Sequence, residues 1–419
     1  MLIQFRFKNY KSFKDEAILD LSSTKITENV ENVVKIGNEK VLKLAAIYGA
    51  NASGKSGVYD AFEYMSYYVM QSFSFDDEKN TREKEQLPPI PFNFSEETKK
   101  MPSEFEVYFS ATDKNGKVKF YNYGFSVDAN KVCEEWLNVK SASAREYKKI
   151  FYREDQKIDF HTLTAKQTEF IESALSKQGL VVSLGAKLRI EIFQDVRGWF
   201  VQNETLNYAS LTENIYLYRN MPQDFATDKI VQDNVVRYIS SFDKSILGFE
   251  IEENQKTDEK EEKTYSIESL HKMLDASKKG KISFGDESAG TLKMFSLYPF
   301  LLSVIENGSI LFVDELNARL HPLLVRNIIL LFANKETNPN DAQLIFTTHD
   351  TWQLSTDILR RDEVWFTEKD ENGCSSLYSL SDFKNASGVK IRKDESYEKN
   401  YLLGNYGAIP RLTKLKLKG

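Results

Sequence analysis

The stretch Gly49-Ala50-Asn51-Ala52-Ser53-Gly54-Lys55-Ser56 fits G-x-x-x-x-G-K-[ST] without a mismatch, and each fixed position has a task at a polyphosphate. A Gly-rich turn between a strand and a helix aims backbone N–H groups and the helix dipole at an anion. Gly49, Asn51, Ala52, Ser53 and Gly54 would form that cradle. Lys55 adds a point charge at the β- and γ-phosphates, and the Ser56 hydroxyl is placed to ligate Mg²⁺. An ordinary glycine turn is the bland alternative, and the flanks argue against it. Val41 to Tyr48 is an apolar run of strand length, while Val58, Phe62 and Met65 recur at helical spacing.

Three further stretches carry chemistry. Ile310 to Asp314 is a β-branched and aromatic strand that ends in two acids, Asp314 and Glu315. Asp314 at the carboxyl end of such a strand can hold Mg²⁺, and Glu315 can polarise an attacking water as general base. Gln343 to Asp350 is a second buried-type strand ending in His349, one of four histidines in the chain. The interval allows one crossover helix, Leu323 to Phe332, which returns the second strand parallel to the first. His349 then shares a sheet edge with Asp314 and Glu315, within reach of a γ-phosphate. Before them, Ser288-Ala289-Gly290 opens an amphipathic helix (Leu292, Phe295, Leu297) and could form a second anion seat. A plain N-cap is the simpler reading of that triplet. His321 is read as fixing the loop before the helix that Pro322 starts.

The elements that must position these residues are expected as follows. Ile3, Phe5 and Phe7 alternate with polar residues, and Ala17 to Leu21 returns, which suits an antiparallel hairpin beside the strand that feeds the glycine turn. Residues 22–40 are polar and read as a surface connection. Strands over 104–111, 118–127 and 132–139 read as a small antiparallel sheet lying against the nucleotide core. Pro88-Pro89-Ile90-Pro91 excludes helix and central strand. Helical periodicity at 165–178 (Phe170, Ile171, Leu175) and 228–242 (Ile230, Val235, Val236, Ile239) marks 140–280 as a mainly helical insertion. Within it, Lys256 to Lys263 is a mixed charge run that reads as a solvated tip. Further strands are expected at 363–367 and 377–380. The fold class is therefore α/β, with an N-terminal lobe over 1–139, the insertion over 140–280 and a C-terminal lobe over 281–419.

Composition limits the alternatives. The 419 residues allow two or three domains, or one with a large insertion, and 41% apolar content supports a buried core. No run of 18 apolar residues exists and Leu2 to Lys8 alternates, so neither a membrane span nor a signal region is expected. Cys133 and Cys374 alone make no disulfide framework or zinc site, which fits a reduced, cytoplasmic protein. A net charge of −6 gives no global pull toward nucleic acid. The tail is locally basic (Lys390, Arg392, Lys393, Lys399, Arg411, Lys414, Lys416, Lys418), as for a nucleic acid or acidic partner, an edge strand guarded by lysines, or a solvated terminus.

The four motifs, in this order, resemble the heads of ABC-type ATPases without transporter domains: the RecF, SMC and overcoming-lysogenisation-defect type. Phe7-Lys8-Asn9-Tyr10-Lys11-Ser12-Phe13 is similar to their opening strand and turn. Glu287-Ser288-Ala289-Gly290-Thr291 and Asp314-Glu315-Leu316-Asn317-Ala318-Arg319-Leu320-His321-Pro322 resemble the signature and the Walker B with D-loop of the AAA15/AAA21 class of abortive-infection ATPases. The likeness covers 1–126 and 281–355 directly. It implies ATP with Mg²⁺ as ligand and a P-loop mixed sheet plus a small antiparallel sheet as fold. It also implies a homodimer or higher assembly, in which Ser288 and Gly290 reach the partner's γ-phosphate while Lys55, Ser56, Asp314, Glu315 and His349 act in cis. Ala289 and Thr291 depart from the transporter signature, Asn317 replaces an acid common among relatives, and Gln71 is the one candidate for the Q-loop. A Toprim nuclease domain, which overcoming-lysogenisation-defect proteins carry after the head, finds neither the length nor an Asp-x-Asp here. The implied role is a sensor or scaffold in anti-phage defence that controls a separately encoded effector, for instance an RloB-like nuclease. The competing reading is a RecF- or SMC-like clamp on DNA, against which the absence of long heptad arms counts.

Overall fold

The computed structural model describes residues 1–75, 88–219, 221–254, 265–275, 278–384 and 395–410. The charge run Lys256 to Lys263 and the basic tail, Lys399 apart, lie outside them. Alternating apolar residues build β1 (Leu2–Lys8), which turns back into β2 (Ala17–Asp20). The polar stretch that follows is more than a connection, because it folds as the hairpin β3 (Val33–Ile36) and β4 (Glu39–Leu42). Strand β5 (Leu44–Gly49) is buried at every residue and leads through the glycine turn into α1 (Lys55–Gln71). Val58, Phe62 and Met65 on α1 are fully buried, each contributing about 1.5–3 kcal/mol relative to exposure.

A meander follows: β6 (Ser103–Thr112), β7 (Val118–Val127), β8 (Val132–Ser141), β9 (Lys148–Glu154) and β10 (Lys157–Phe160). Next come α2 (Ala165–Ala174), α3 (Val181–Lys187), α4 (Glu191–Gln202), β11 (Glu204–Asn207), α5 (Leu211–Arg219) and α6 (Lys229–Ser240). Then come β12 (Ile246–Glu253), β13 (Tyr265–Lys272) and β14 (Lys279–Ser283). The C-terminal part holds α7 (Ala289–Asn307), β15 (Ile310–Asp314), α8 (Pro322–Ala333), β16 (Gln343–Thr347), β17 (Val364–Lys369), β18 (Ser375–Ser379) and α9 (Tyr397–Leu402).

Two large sheets enclose α1. The first has the order β11-β15-β16-β5-β17-β18, with only β18 antiparallel to its neighbour. The second is antiparallel, in the order β10-β9-β8-β7-β6-β1-β2. Phe62 shows how α1 fills the space between them. Its ring meets Phe5 of β1 edge-on at 5.4 Å and Phe312 of β15 at 5.7 Å. This is a mixed α/β architecture, in which a mostly parallel sheet and an antiparallel sheet share one core.

Three expectations are corrected. The hairpin β1–β2 does not stand beside the Walker strand β5; it pairs with β6 in the other sheet, because its apolar face is needed over α1. That sheet is not small, since among the described residues its seven strands outnumber the six of the sheet that holds β5. Residues 140–280 are not mainly helical. Strands β9 and β10 extend the antiparallel sheet, β11 edges the nucleotide sheet, and β12–β14 form a third sheet. Such short strands of mixed polarity carry too little period to register in a helix-length window. Helices α3 and α4 pack into the core between the sheets, so this segment shares the core of the rest of the chain.

One side chain joins the two sheets. Gln343, at the start of β16, is fully buried. Its Oε1 accepts the Leu2 N–H at 2.6 Å, and its Nε2 donates to Leu2 O at 2.9 Å and Leu42 O at 2.8 Å. Gln343→Leu keeps the volume but strands these backbone groups, and we expect it to lower the unfolding free energy by about 3 kcal/mol. Urea denaturation monitored by tryptophan fluorescence checks this, and an unchanged midpoint would contradict it.

Candidate functional site

The glycine turn adopts a backbone that only small residues allow. Gly49 has φ 153° and Gly54 has φ 119°. A Cβ on Gly49 would come within 2.5 Å of Ser53 Oγ and of Thr367 O, so alanine there collides with the neighbouring strand. Ser53 Oγ is hydrogen-bonded to Thr367 Oγ1 at 2.6 Å, which ties the turn to β17. Lys55 opens α1 and donates to the carbonyls of Gly49 and Ala50, both at 3.0 Å. Burial lowers its ammonium to about 8, against the opposing pull of Asp314 and Glu315. Ser56 is exposed beside it.

Parallel pairing sets the other motifs at the same edge. Strand β16 pairs with β5 (Thr347 opposite Ile47) and with β15 (Phe346 opposite Val313). Asp314 is fully buried, and its Oδ1 accepts the Thr347 hydroxyl at 2.5 Å. The same hydroxyl oxygen accepts the Glu315 N–H at 2.8 Å. Glu315 has φ 54°, a strained conformation for a residue with a side chain, and it carries its carboxylate to the cleft. His349 Nε2 lies 3.7 Å from Glu315 Oε1. Its pKa is lowered, first by burial and then by Lys55, so the imidazole is neutral at neutral pH. Asn317 supports both loops. Its Oδ1 accepts the Thr348 hydroxyl at 2.9 Å and the His349 N–H at 3.3 Å.

Asn51, Ala52, Gly54, Lys55, Ser56, Glu315 and His349 all line one open cleft of about 810 Å³. Gly49 and Ser53 line an adjoining cleft with His349 and Thr367, on the other side of the glycine turn. The first cleft also contains residues that motif reasoning passed over. Lys11 and Ser12 reach it from the β1–β2 turn, Asp60 from α1 and Lys369 from the end of β17. Lys11 is ion-paired to Asp60. The signal for Asp60 was present, because it follows Ser56 by one helical turn. Thr347 is an ordinary strand residue in sequence, and only pairing reveals that it bridges Asp314 and Glu315. A separate cleft of about 750 Å³ lies elsewhere, lined by Asp195, Asn203 and Ser309 among others, and holds none of these groups.

Ser288 and Gly290 do not line the cleft within one chain. Ser288 is the N-cap of α7, its Oγ accepting the Thr291 N–H at 3.1 Å. His321 likewise caps α8, accepting the Leu323 N–H through Nδ1 at 3.2 Å. Gln71 does not reach the nucleotide site. It is the last residue of α1, about 24 Å along the helix from Lys55.

The groups present fit a magnesium ion. Asp314 Oδ2 is buried without a hydrogen-bond partner, an arrangement that is costly unless a ligand completes it. With the free Ser56 hydroxyl it makes a small oxygen donor set, which suits a cation that keeps waters and phosphate oxygens. Among the described residues no group of three or more His, Cys, Asp or Glu could hold a metal alone. Such an ion would neutralise charge developing on phosphate oxygens.

Comparison with known proteins gives one family. Residues 44–351, well over half of the chain, match the family described as "AAA domain, putative AbiEii toxin, Type IV TA system". No curated protein matches. Among solved structures the chain is similar to an SMC head bound to the C-terminal winged-helix domain of ScpA. That likeness has a TM-score of 0.41 and 12% identity over 90% of this chain and 97% of that one, too distant to bear on function. No described helix is long and apolar enough to cross a membrane.

Two outcomes are expected from this geometry. Polyphosphate binding favours charged Lys55, so above pH 8, where the free amine is mostly neutral, ATP binding takes up a proton and affinity falls with rising pH. Calorimetry in buffers of different ionisation enthalpy reads that uptake. Lys55→Arg, always protonated, should lack it. Thr347→Val keeps the strand but removes the bridge between Asp314 and Glu315, and kcat for ATP should fall about 10- to 100-fold. Steady-state phosphate release measures this.

Proposed function

The chain belongs to this AAA ATPase family, and from that premise we propose that it binds and hydrolyses ATP with Mg²⁺ at the cleft between α1 and the ends of β15 and β16. The observation that carries the reading is the convergence of Lys55, Ser56, Glu315 and His349 on one cleft, next to a buried Asp314 oxygen that lacks a partner. In this reading the glycine turn and Lys55 hold the phosphates. Glu315 takes a proton from the attacking water, and neutral His349, beside Glu315, orients the γ-phosphate or that water.

Within one chain, nothing from α7 reaches the cleft, although its N-terminus is a ready anion seat. We therefore propose a homodimer in which Ser288 and Gly290 of each copy close the nucleotide site of the other. Charge stabilisation is then complete only in the closed pair, and hydrolysis reopens it. The finer assignment is to the AAA15-like abortive-infection class, as a cytoplasmic sensor or scaffold that restrains a separately encoded toxic effector. The family's description, which names a putative toxin and a toxin–antitoxin system, supports a place in such a system, and the separate effector rests on the resemblance of the ordered motifs alone.

Glu315→Gln is the test. We expect it to bind ATP, to lose turnover by about 100-fold or more, and to accumulate as a dimer in ATP and Mg²⁺ by light scattering. Normal turnover would remove Glu315 as base. A monomer under all conditions would remove the shared site, and failure to co-purify any neighbour-encoded product would remove the effector.

A further inference from the structure

Lys293 is a buried lysine that the reading above does not use. It stands in the second turn of α7 and is 0% exposed, yet no carboxylate among the described residues forms an ion pair with it. Its ammonium instead donates to Leu316 O and Ala318 O, each at 2.8 Å, and lies 3.5 Å from Glu315 O. Below it the ring of Tyr208 is centred 3.7 Å away. Burial pushes its pKa well down, partly offset by Glu315. Three N–H donors thus meet three carbonyls of one short loop, and an aromatic face takes the remaining side.

The location of that loop matters. It begins with Glu315, held at φ 54°, and includes Arg319, also left-handed at φ 61°. Its far end touches the N-terminus of α7. A Cβ on Gly290 would lie 3.3 Å from Arg319 O, so the two backbones are nearly in contact there. A strained turn persists only where its surroundings over-determine it. From the strand side the Thr347 hydroxyl accepts the Glu315 N–H, and from the helix side Lys293 donates to the loop carbonyls.

We propose that Lys293 is a positioning residue that fastens the Glu315–Arg319 loop to the partner-facing end of α7, so that seating Ser288 and Gly290 on the partner's nucleotide and aligning Glu315 on its own are one movement. This rests on Glu315 being the base and on the N-terminus of α7 acting across a dimer. Because the link lies inside one chain, it would couple the two nucleotide sites of a pair without a ligand of its own.

Four proteins test it: Lys293→Met, Lys293→Arg, Glu315→Gln and the double variant Lys293→Met with Glu315→Gln. Lys293→Met should lower kcat by about 10- to 100-fold while the ATP dissociation constant stays within about threefold, since Lys293 touches no phosphate-binding group. Lys293→Arg keeps the charge and the donors and should recover part of the loss. The double variant should turn over no more slowly than Glu315→Gln, because residues that act through one another are not additive. Wild-type turnover by Lys293→Met, or a further tenfold loss in the double variant, would overturn the inference. Wild-type turnover by Glu315→Gln would instead overturn the base assignment on which it rests. If Lys293→Met does not fold, Lys293→Gln, with two donors for three carbonyls, is scored by the same split between kcat and affinity.

Discussion

The parallel register of β15, β16 and β5 is the constraint on which the rest depends. Three strands from three distant parts of the chain stop at one edge, with Thr347 level with Ile47 and next to Asp314. Parallel strands cannot be joined by tight turns, so each return needs a crossover, and the helices that make those crossovers cover the faces of the sheet. The glycine-rich turn, the acidic pair and the histidine therefore emerge side by side at the carboxyl ends of buried strands. Ligands bind at that edge in open α/β sheets because the helix N-termini and loops converge there.

Around that edge, backbone-directed polar contacts hold the loops alongside the packing of Leu316 and Leu320 into the core. Thr347, Asn317 and Lys293 each bind main-chain groups of a loop that carries a functional side chain. Buried polar side chains are tolerable only when their hydrogen bonds are satisfied, and here satisfying them fixes the loops. Asp314 Oδ2 is the exception at the centre of the site.

Much of the site was legible because its residues are specified locally. The turn at Gly49 and Gly54 excludes side chains, and Pro322 after His321 starts a helix with a cap. Ile310 to Asp314 and Gln343 to Thr347 are apolar runs bounded by chemistry-bearing residues. The antiparallel sheet was recognised but undersized, because β9 mixes lysine, tyrosine and glutamate and β10 has only four residues, so their places follow only from the pairing of β9 with β8 and of β10 with β9. Three helices between Val181 and Arg219 went unread for a related reason. Helix α3 has only seven residues and is buried on more than one face, so it carries no clean stripe.

What this sequence determined by itself is the set of candidate groups: a glycine-rich turn of phosphate-binding pattern, an acid pair and a histidine in a fixed order. Each depends on residue type and on contacts a few positions away. Which of these groups share a cleft, that Thr347 bridges two acids, that Gln343 joins two sheets, and that a buried lysine grips the loop after Asp314 were decided only by tertiary structure. Those contacts link positions tens to hundreds of residues apart. A side chain's partner across a sheet depends on strand register, and no local pattern encodes register between strands so distant in the chain.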